Sequence, residues 1–260
     1  MGRNIINRTG EKNINNFGSE MIIIEYRNAI DIDVYFPEYD WVAKNKGYKE
    51  FKNGGIKCPY DRSVYGIGCL GEGKYKTREN GKSTRVYNTW YNMMVRCYDS
   101  KYHKKKPTYI ECETSEEFHN FQNFGSWDED NYYKIEGETM CLDKDILLKG
   151  NKIYSPNTCI YVPNTINCLF TKCDSKRGKS AIGTTPRKNG KYMAYCHLLN
   201  PETGKSKGKT LGYYNTELEA FQVYKYYKEK NIKEVADYFK DKIPEKLYQS
   251  LYNYIVEIDD

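Results

Sequence analysis

The stretch LDKDILLKGNKIYSPNTCIYVPNTIN, from Leu142 to Asn167, constrains the fold of this chain more than any other. It opens as a strand and then runs through an excursion broken by the turn formers Gly150-Asn151 and Ser155-Pro156. A second, apolar strand follows, and Pro163 opens a helix. Two strands and one short helix bury little by themselves, so the rest of the chain has to supply their core.

Composition limits what that core can be. The chain has 260 residues, 39% hydrophobic and 29% charged, and its mean hydropathy is -0.86. That is lean for one large core and favours several small modules. Tyrosine occurs 27 times against 9 phenylalanines, so the rings that fill these modules carry a polar tip suited to wet surfaces. No apolar run reaches bilayer length, and Met1 to Phe17 lacks a hydrophobic signal core; the expectation is a protein of the cytoplasm, with no membrane partner. The 9 cysteines include no CxxC pair, which favours reduced, buried thiols; zinc held by Cys168, Cys173 and a distant ligand is the alternative.

Charge is unevenly placed. Trp41 to Arg85 holds eleven basic against four acidic residues, and Thr171 to Leu211 holds ten against two. Between them, Glu111 to Asp145 holds two against eleven. Two basic blocks around an acidic one suggest polyanion-binding surfaces with something else between them, or simply solvated faces.

Residues 1–18 are Asn-rich and unpatterned, so a flexible arm is expected there. From Met21, MIIIEY and IDIDVYF read as strands, and with the short pieces GGIKCP and SVYGIG they suggest a small basic β-barrel-like module over 19–80. Tyr48, Phe51 and Tyr60 interleave with Lys44, Lys46, Lys49 and Lys52, either as a nucleic-acid surface or as barrel filling. The GxGxxG at Gly66, Gly68 and Gly71 lacks a strand-to-helix context and reads as a hinge rather than a nucleotide loop. Trp90, Met93, Met94 and Cys97 mark one helix, and a Thr114/Glu117 capping box precedes a second, with Phe118, Phe121, Phe124 and Trp127 as its stripe. This pair is expected to form the core of the strand–loop–strand–helix unit, giving a domain over 85–174.

Lys144-Asp145, Asn157 and Asn167 fall at the places where a ββα-metal finger carries its chemistry. On those residues the stretch resembles the HNH endonuclease motif with its leading histidine unmatched. The resemblance implies metal-dependent cutting or nicking of DNA with Mg2+ or Mn2+. It can be laid on the sequence in two ways. In one, Asp145 stands for the general base and Lys144 for a ligand; in the other, Asp143 is the ligand and Lys144 replaces the base. Either way Asn157 orders the loop and Asn167 is a further ligand, so Asp143, Asp145 and Asn167 form the implied metal set. The histidines, His103, His119 and His197, all lie outside the finger.

Beyond the charged linker DSKRGKS, Asn189-Gly190 marks a hairpin and Thr216/Glu219 a helix start. Ile182-Gly183, Gly190-Lys191-Tyr192, Ala194, Leu211-Gly212-Tyr213, Thr216, Glu219-Ala220 and Tyr224 resemble the ethylene-response-factor type of DNA-binding domain, over about fifty residues. That resemblance implies a three-stranded sheet with one helix over 175–230. It also implies DNA contacts from Arg187, Lys188, Lys191, Tyr195, Lys207 and Lys209. Residues 231–260 read as a short helical tail for packing or oligomerisation.

The expected fold is therefore α+β and multi-modular. The layout looks like phage-borne HNH proteins. Two functions stay open: DNA cleavage, or a nuclease-dead scaffold that binds nucleic acid or occludes a host defence protein as a counter-defence inhibitor.

Overall fold

The computed structural model describes residues 6–170 and 180–260, and the chain is a mixture of helix and mostly antiparallel sheet, as the α+β expectation has it. It divides into two compact units, one of residues 1–130 with 152–156, the other of 131–151 with 157–260. The expected linker, the boundary near residue 175 and Cys173 lie outside the described residues.

The first unit opens with an antiparallel sheet of β1 (Lys12–Ile14), β2 (Glu20–Asn28), β3 (Asp31–Phe36) and β4 (Trp41–Lys46), in that spatial order. It is an open sheet with β1 and β4 at its edges, so the expected barrel does not close among the described residues. GGIKCP and SVYGIG contribute one isolated bridge, Val64 to Gly68, instead of strands.

The expected arm is ordered from residue 6 onward, because its asparagines are anchors rather than solvating residues. Asn15 is buried, donates to the Asp61 carboxylate at 2.9 Å and accepts from the Phe17 and Ser19 amides. Four polar groups that would otherwise be orphaned under the sheet edge are satisfied this way.

After α1 (Tyr48–Lys52) and a small hairpin of β5 (Arg78–Glu79) with β6 (Lys82–Ser83) comes α2 (Arg85–Tyr98). Thr84 caps it, and Trp90, Met93, Met94 and Cys97 form its buried face. Then follow α3 (Ser100–Lys105), β7 (Glu113–Thr114) and α4 (Phe121–Asn131). The helix over the second aromatic stripe begins at Phe121, six residues later than a Thr114 cap requires, because Thr114 is spent in β7 and Asn120 caps instead through its side chain to the Gln122 amide. Phe118, Phe121 and Phe124 are fully buried. The Gly66–Gly71 segment is packed into this region and is no hinge. Gly68 leaves no room for a Cβ beside Trp90 and Met94, and backbone bonds join Cys69 to His119 and Phe121.

In the second unit β8 (Met140–Asp143) pairs antiparallel with β10 (Ile160–Pro163), Asp143 opposite Ile160, and α5 (Asn164–Asn167) follows at once. The strand–excursion–strand–helix path is thus present. Its excursion contributes β9 (Ile153–Tyr154), which pairs parallel with β7 in the first unit. Part of the finger's core comes from the C-terminal elements. Ile146, Ile160, Val162, Ile166 and Leu169 join one cluster with Cys196, Phe221, Val235, Leu247 and Leu251 from the C-terminal elements. An apolar stripe on a helix fixes a buried face but not its partner.

Those C-terminal elements are a sheet of β11 (Thr184–Pro186), β12 (Tyr192–Asn200) and β13 (Lys205–Tyr214) in sequential order, then α6 (Glu217–Phe239) and α7 (Glu245–Tyr252). Thr216 and Glu219 make the expected capping box. The separate tail from residue 231 does not exist as such: α6 runs unbroken to Phe239, because Ile232, Val235, Ala236 and Phe239 continue its buried face.

Candidate functional site

Two sets of side chains carry the chemistry the sequence pointed to, and both lie in the second unit. The first is at the end of β8. The Asp143 carboxylate accepts from the Asp145 and Ile146 amides at 2.9 and 2.7 Å, which turns the chain out of the strand. Burial, with the Asp145 carboxylate nearby, raises the Asp143 carboxyl to about 6, against the pull of those two amides. The Lys144 side chain is buried and points the other way across the loop. Its ammonium donates to the Asn151 carbonyl at 3.0 Å and lies 3.2 Å from the Asp145 carboxylate. Asn151 returns a bond to the Lys144 carbonyl at 2.7 Å.

In this arrangement Lys144 ties a loop and balances a carboxylate, and each contact uses its N–H bonds. Neither role is that of a proton acceptor. Asn157 is exposed in the turn before β10, and Asn167 is half-buried at the end of α5. Among the described residues neither hydrogen-bonds to Asp143 or Asp145, so the structure brings together Asp143, Lys144 and Asp145 with Asn151.

A divalent cation does not fit this donor set as it stands. Asp143 has one oxygen committed to two amides, and the cation would share Asp145 with an ammonium 3.2 Å away. Among the described residues no group of three or more His, Cys, Asp or Glu side chains is arranged to hold a metal. His103 and His119 each hydrogen-bond a carbonyl within the first unit, those of Arg96 and Thr114. Cys58, Cys97, Cys112, Cys159 and Cys196 are buried, and Cys168 is exposed.

Three carboxylates of the acidic run are committed too. Asp128 pairs with Arg85, Glu129 with Lys74, and Glu138 accepts from the Thr165 hydroxyl.

The second set is on the three-stranded sheet. Arg187 to Lys191 form the β11–β12 turn: the Arg187 amide donates to the Lys191 carbonyl at 2.8 Å and the Gly190 amide to the Arg187 carbonyl at 3.0 Å. Gly190 takes the left-handed conformation at φ +78°, the glycine of a turn with a bulge. Arg187, Lys188 and Lys191 are exposed together at this tip.

Register assigns the faces, since residues directly opposite in an antiparallel pair share one. Cys196 is buried against α6, and its partner is Lys209; Leu198 pairs with Lys207. Both lysines therefore belong to the helix-bearing face at the sheet edge, and the Lys209 ammonium stands 5.3 Å from the Tyr227 ring of α6. Tyr195 is on the opposite, open face with Arg187, whose guanidinium reaches the Met193 sulfur. Of the six residues that the resemblance put on DNA, four share the open side or its tip, and two do not.

Residues that the sequence reading did not place on DNA share that open face. Thr185, Met193 and Tyr213 stand in one row across the strands, and Thr210 pairs with Tyr195. His197 packs edge-on to Tyr195, ring centres 5.2 Å apart. The strand alternation from Tyr195 to His197 was a usable signal. Tyr213 was harder to place, because a bulge between Ala194 and Tyr195 shifts the register of β13.

Phe51, in contrast, is core, and Tyr48 is held against Arg8 and Glu11. Those two rings fill the module, as the blander expectation had it. Compared with protein-family models, with curated proteins and with solved structures, the chain matches none.

Proposed function

We propose that this protein binds DNA through the open face of the β11–β13 sheet and the basic tip beside it, and that its HNH-like ββα finger serves as scaffold rather than nuclease. The observation that carries the first half is the convergence of Arg187, Lys188 and Lys191 at one end of a face bearing Tyr195, His197 and Tyr213. Cations neutralise phosphate and rings offer stacking surface. The second half rests on Lys144, which holds the loop and a carboxylate where a nuclease of this build needs a base and a metal. Cleavage with Mg2+ or Mn2+ would require that ion pair to open.

Occlusion of a host defence protein is the competing function. Its main support was the acidic run, and the ion pairs of Asp128 and Glu129 weaken that support.

The experiment is fluorescence anisotropy with labelled DNA over a salt series. Three phosphate contacts give a log–log slope of roughly -2 to -3. Lys188→Glu with Lys191→Glu should weaken binding at least about tenfold and flatten the slope. Absence of DNA binding at low salt overturns the proposal.

A further inference from the structure

Six strand positions belong to the open side: Thr185, Tyr195, His197, Thr210 and Tyr213, with Met193 buried among them. None is lysine or arginine. A sheet that reads duplex DNA from the major groove sends forked donors from its strands to base edges, with Arg to guanine the commonest specific contact. Here the cations stand at the hairpin tip, and Lys207 and Lys209 are turned to the helix-bearing side. What the strands present is aromatic. Tyr213 is 56% exposed, and His197 is exposed beside Tyr195. A Cβ on Gly208, opposite His197, would strike the Tyr195 hydroxyl, so the Tyr195 ring lies across the β13 backbone as a low platform.

Spacing points the same way. Tyr195 and Tyr213 are diagonal neighbours separated further by the bulge, which puts their backbones at least roughly 7 Å apart. Successive bases of a duplex strand are stacked about 3.4 Å apart. Rings this far apart match bases that have been unstacked and splayed, which is how single strands are held on aromatic sheets.

We infer that the open face takes single-stranded DNA in preference to duplex, with bases on Tyr213 and on the Tyr195–His197 pair and phosphates on Arg187, Lys188 and Lys191. This rests on the DNA-binding reading above and specifies its substrate.

The test is anisotropy of one labelled oligonucleotide of about 16 nucleotides, the upper end of single-strand site sizes, alone and annealed to its complement. The single strand should bind at least about tenfold tighter. Tyr213→Ala should cost about tenfold on the single strand, the loss of one stacked base, and little on the duplex; Tyr213→Phe should restore it. Because Tyr213 is exposed, its loss leaves the fold intact, which circular dichroism checks. Equal or tighter duplex binding, or a Tyr213→Ala protein that binds the single strand normally, overturns the inference while leaving DNA binding in place. Failure to bind either form overturns both.

Discussion

Lys144 and Asn151 bond to each other twice, ammonium to carbonyl at 3.0 Å and side-chain amide to carbonyl at 2.7 Å, closing the loop that leaves β8. This reciprocal clasp uses both the side chain and the backbone of Lys144. It makes the loop's geometry depend on a residue that has a structural task.

The clasp should be measurable as stability. Asn151→Ala strips a partner from the Lys144 carbonyl and should cost about 1–3 kcal/mol. Lys144→Ala also removes a buried side chain's packing and its ion pair, and should cost as much or more. Urea midpoints at constant slope are the measurement; a Lys144→Ala midpoint equal to wild type would mean that the loop does not need the clasp.

Asp143 should leave a signature in pH. Its carboxyl is raised to about 6 by burial and Asp145, against about 3.9 in the unfolded chain. The native state therefore holds the extra proton between those values, and this group's contribution to stability falls as pH rises from about 4 to about 6, then stays flat. The side chain is only half-buried, so we expect about 1–2 kcal/mol rather than the ~3 of a fully dry site. Asp143→Asn keeps an oxygen for the two amides and removes the titration. It should be more stable than wild type at neutral pH and equal to it near pH 4. Identical pH–stability curves would show that Asp143 titrates normally.

Two glycines of the C-terminal sheet should respond differently to alanine. Gly183 sits at φ +73° with the Tyr224 ring directly against it, whereas Gly190, at φ +78°, has nothing near. Gly190→Ala should cost about 1 kcal/mol, the strain of a left-handed backbone alone. Gly183→Ala must also displace a buried ring on α6 and should cost about 3 kcal/mol or more. Equal losses in thermal or urea unfolding would contradict the packing of Tyr224 on β11.

Asn231 gives a further test inside the same core. It donates to the Leu199 carbonyl and accepts from the Leu199 amide, each at 2.8 Å, completing the edge of β12 where β11 has ended. Asn231→Leu leaves both backbone groups buried and unpaired, and should cost about 2–4 kcal/mol. Faster amide exchange at Leu199 is the local readout, and protection equal to wild type would count against the contact.

These tests also mark how far the sequence could be read. The path of the finger was legible from Leu142 to Asn167, because strand alternation, Gly150-Asn151 and Pro163 are local signals. The order of the C-terminal sheet and its capping box at Thr216 were legible for the same reason. The partners of Ile160 and Val162 were not: these residues announce burial, and nothing local says that they share a cluster with α6. Nor was the fate of Lys207 and Lys209, since a single bulge at Tyr195 decides which lysines share its face. Asn15 misled in a related way, because an amide that anchors backbone and one that solvates a loop look identical in sequence.

The central claim is that the protein holds DNA without cutting it. Supercoiled plasmid incubated with excess protein and Mg2+ or Mn2+, and run before and after protease digestion, tests this directly. The account predicts retarded plasmid that returns to the intact supercoiled position once the protein is digested. Nicked or linear plasmid that disappears with Asp145→Ala or Asn167→Ala would contradict it and would make the finger a working nuclease.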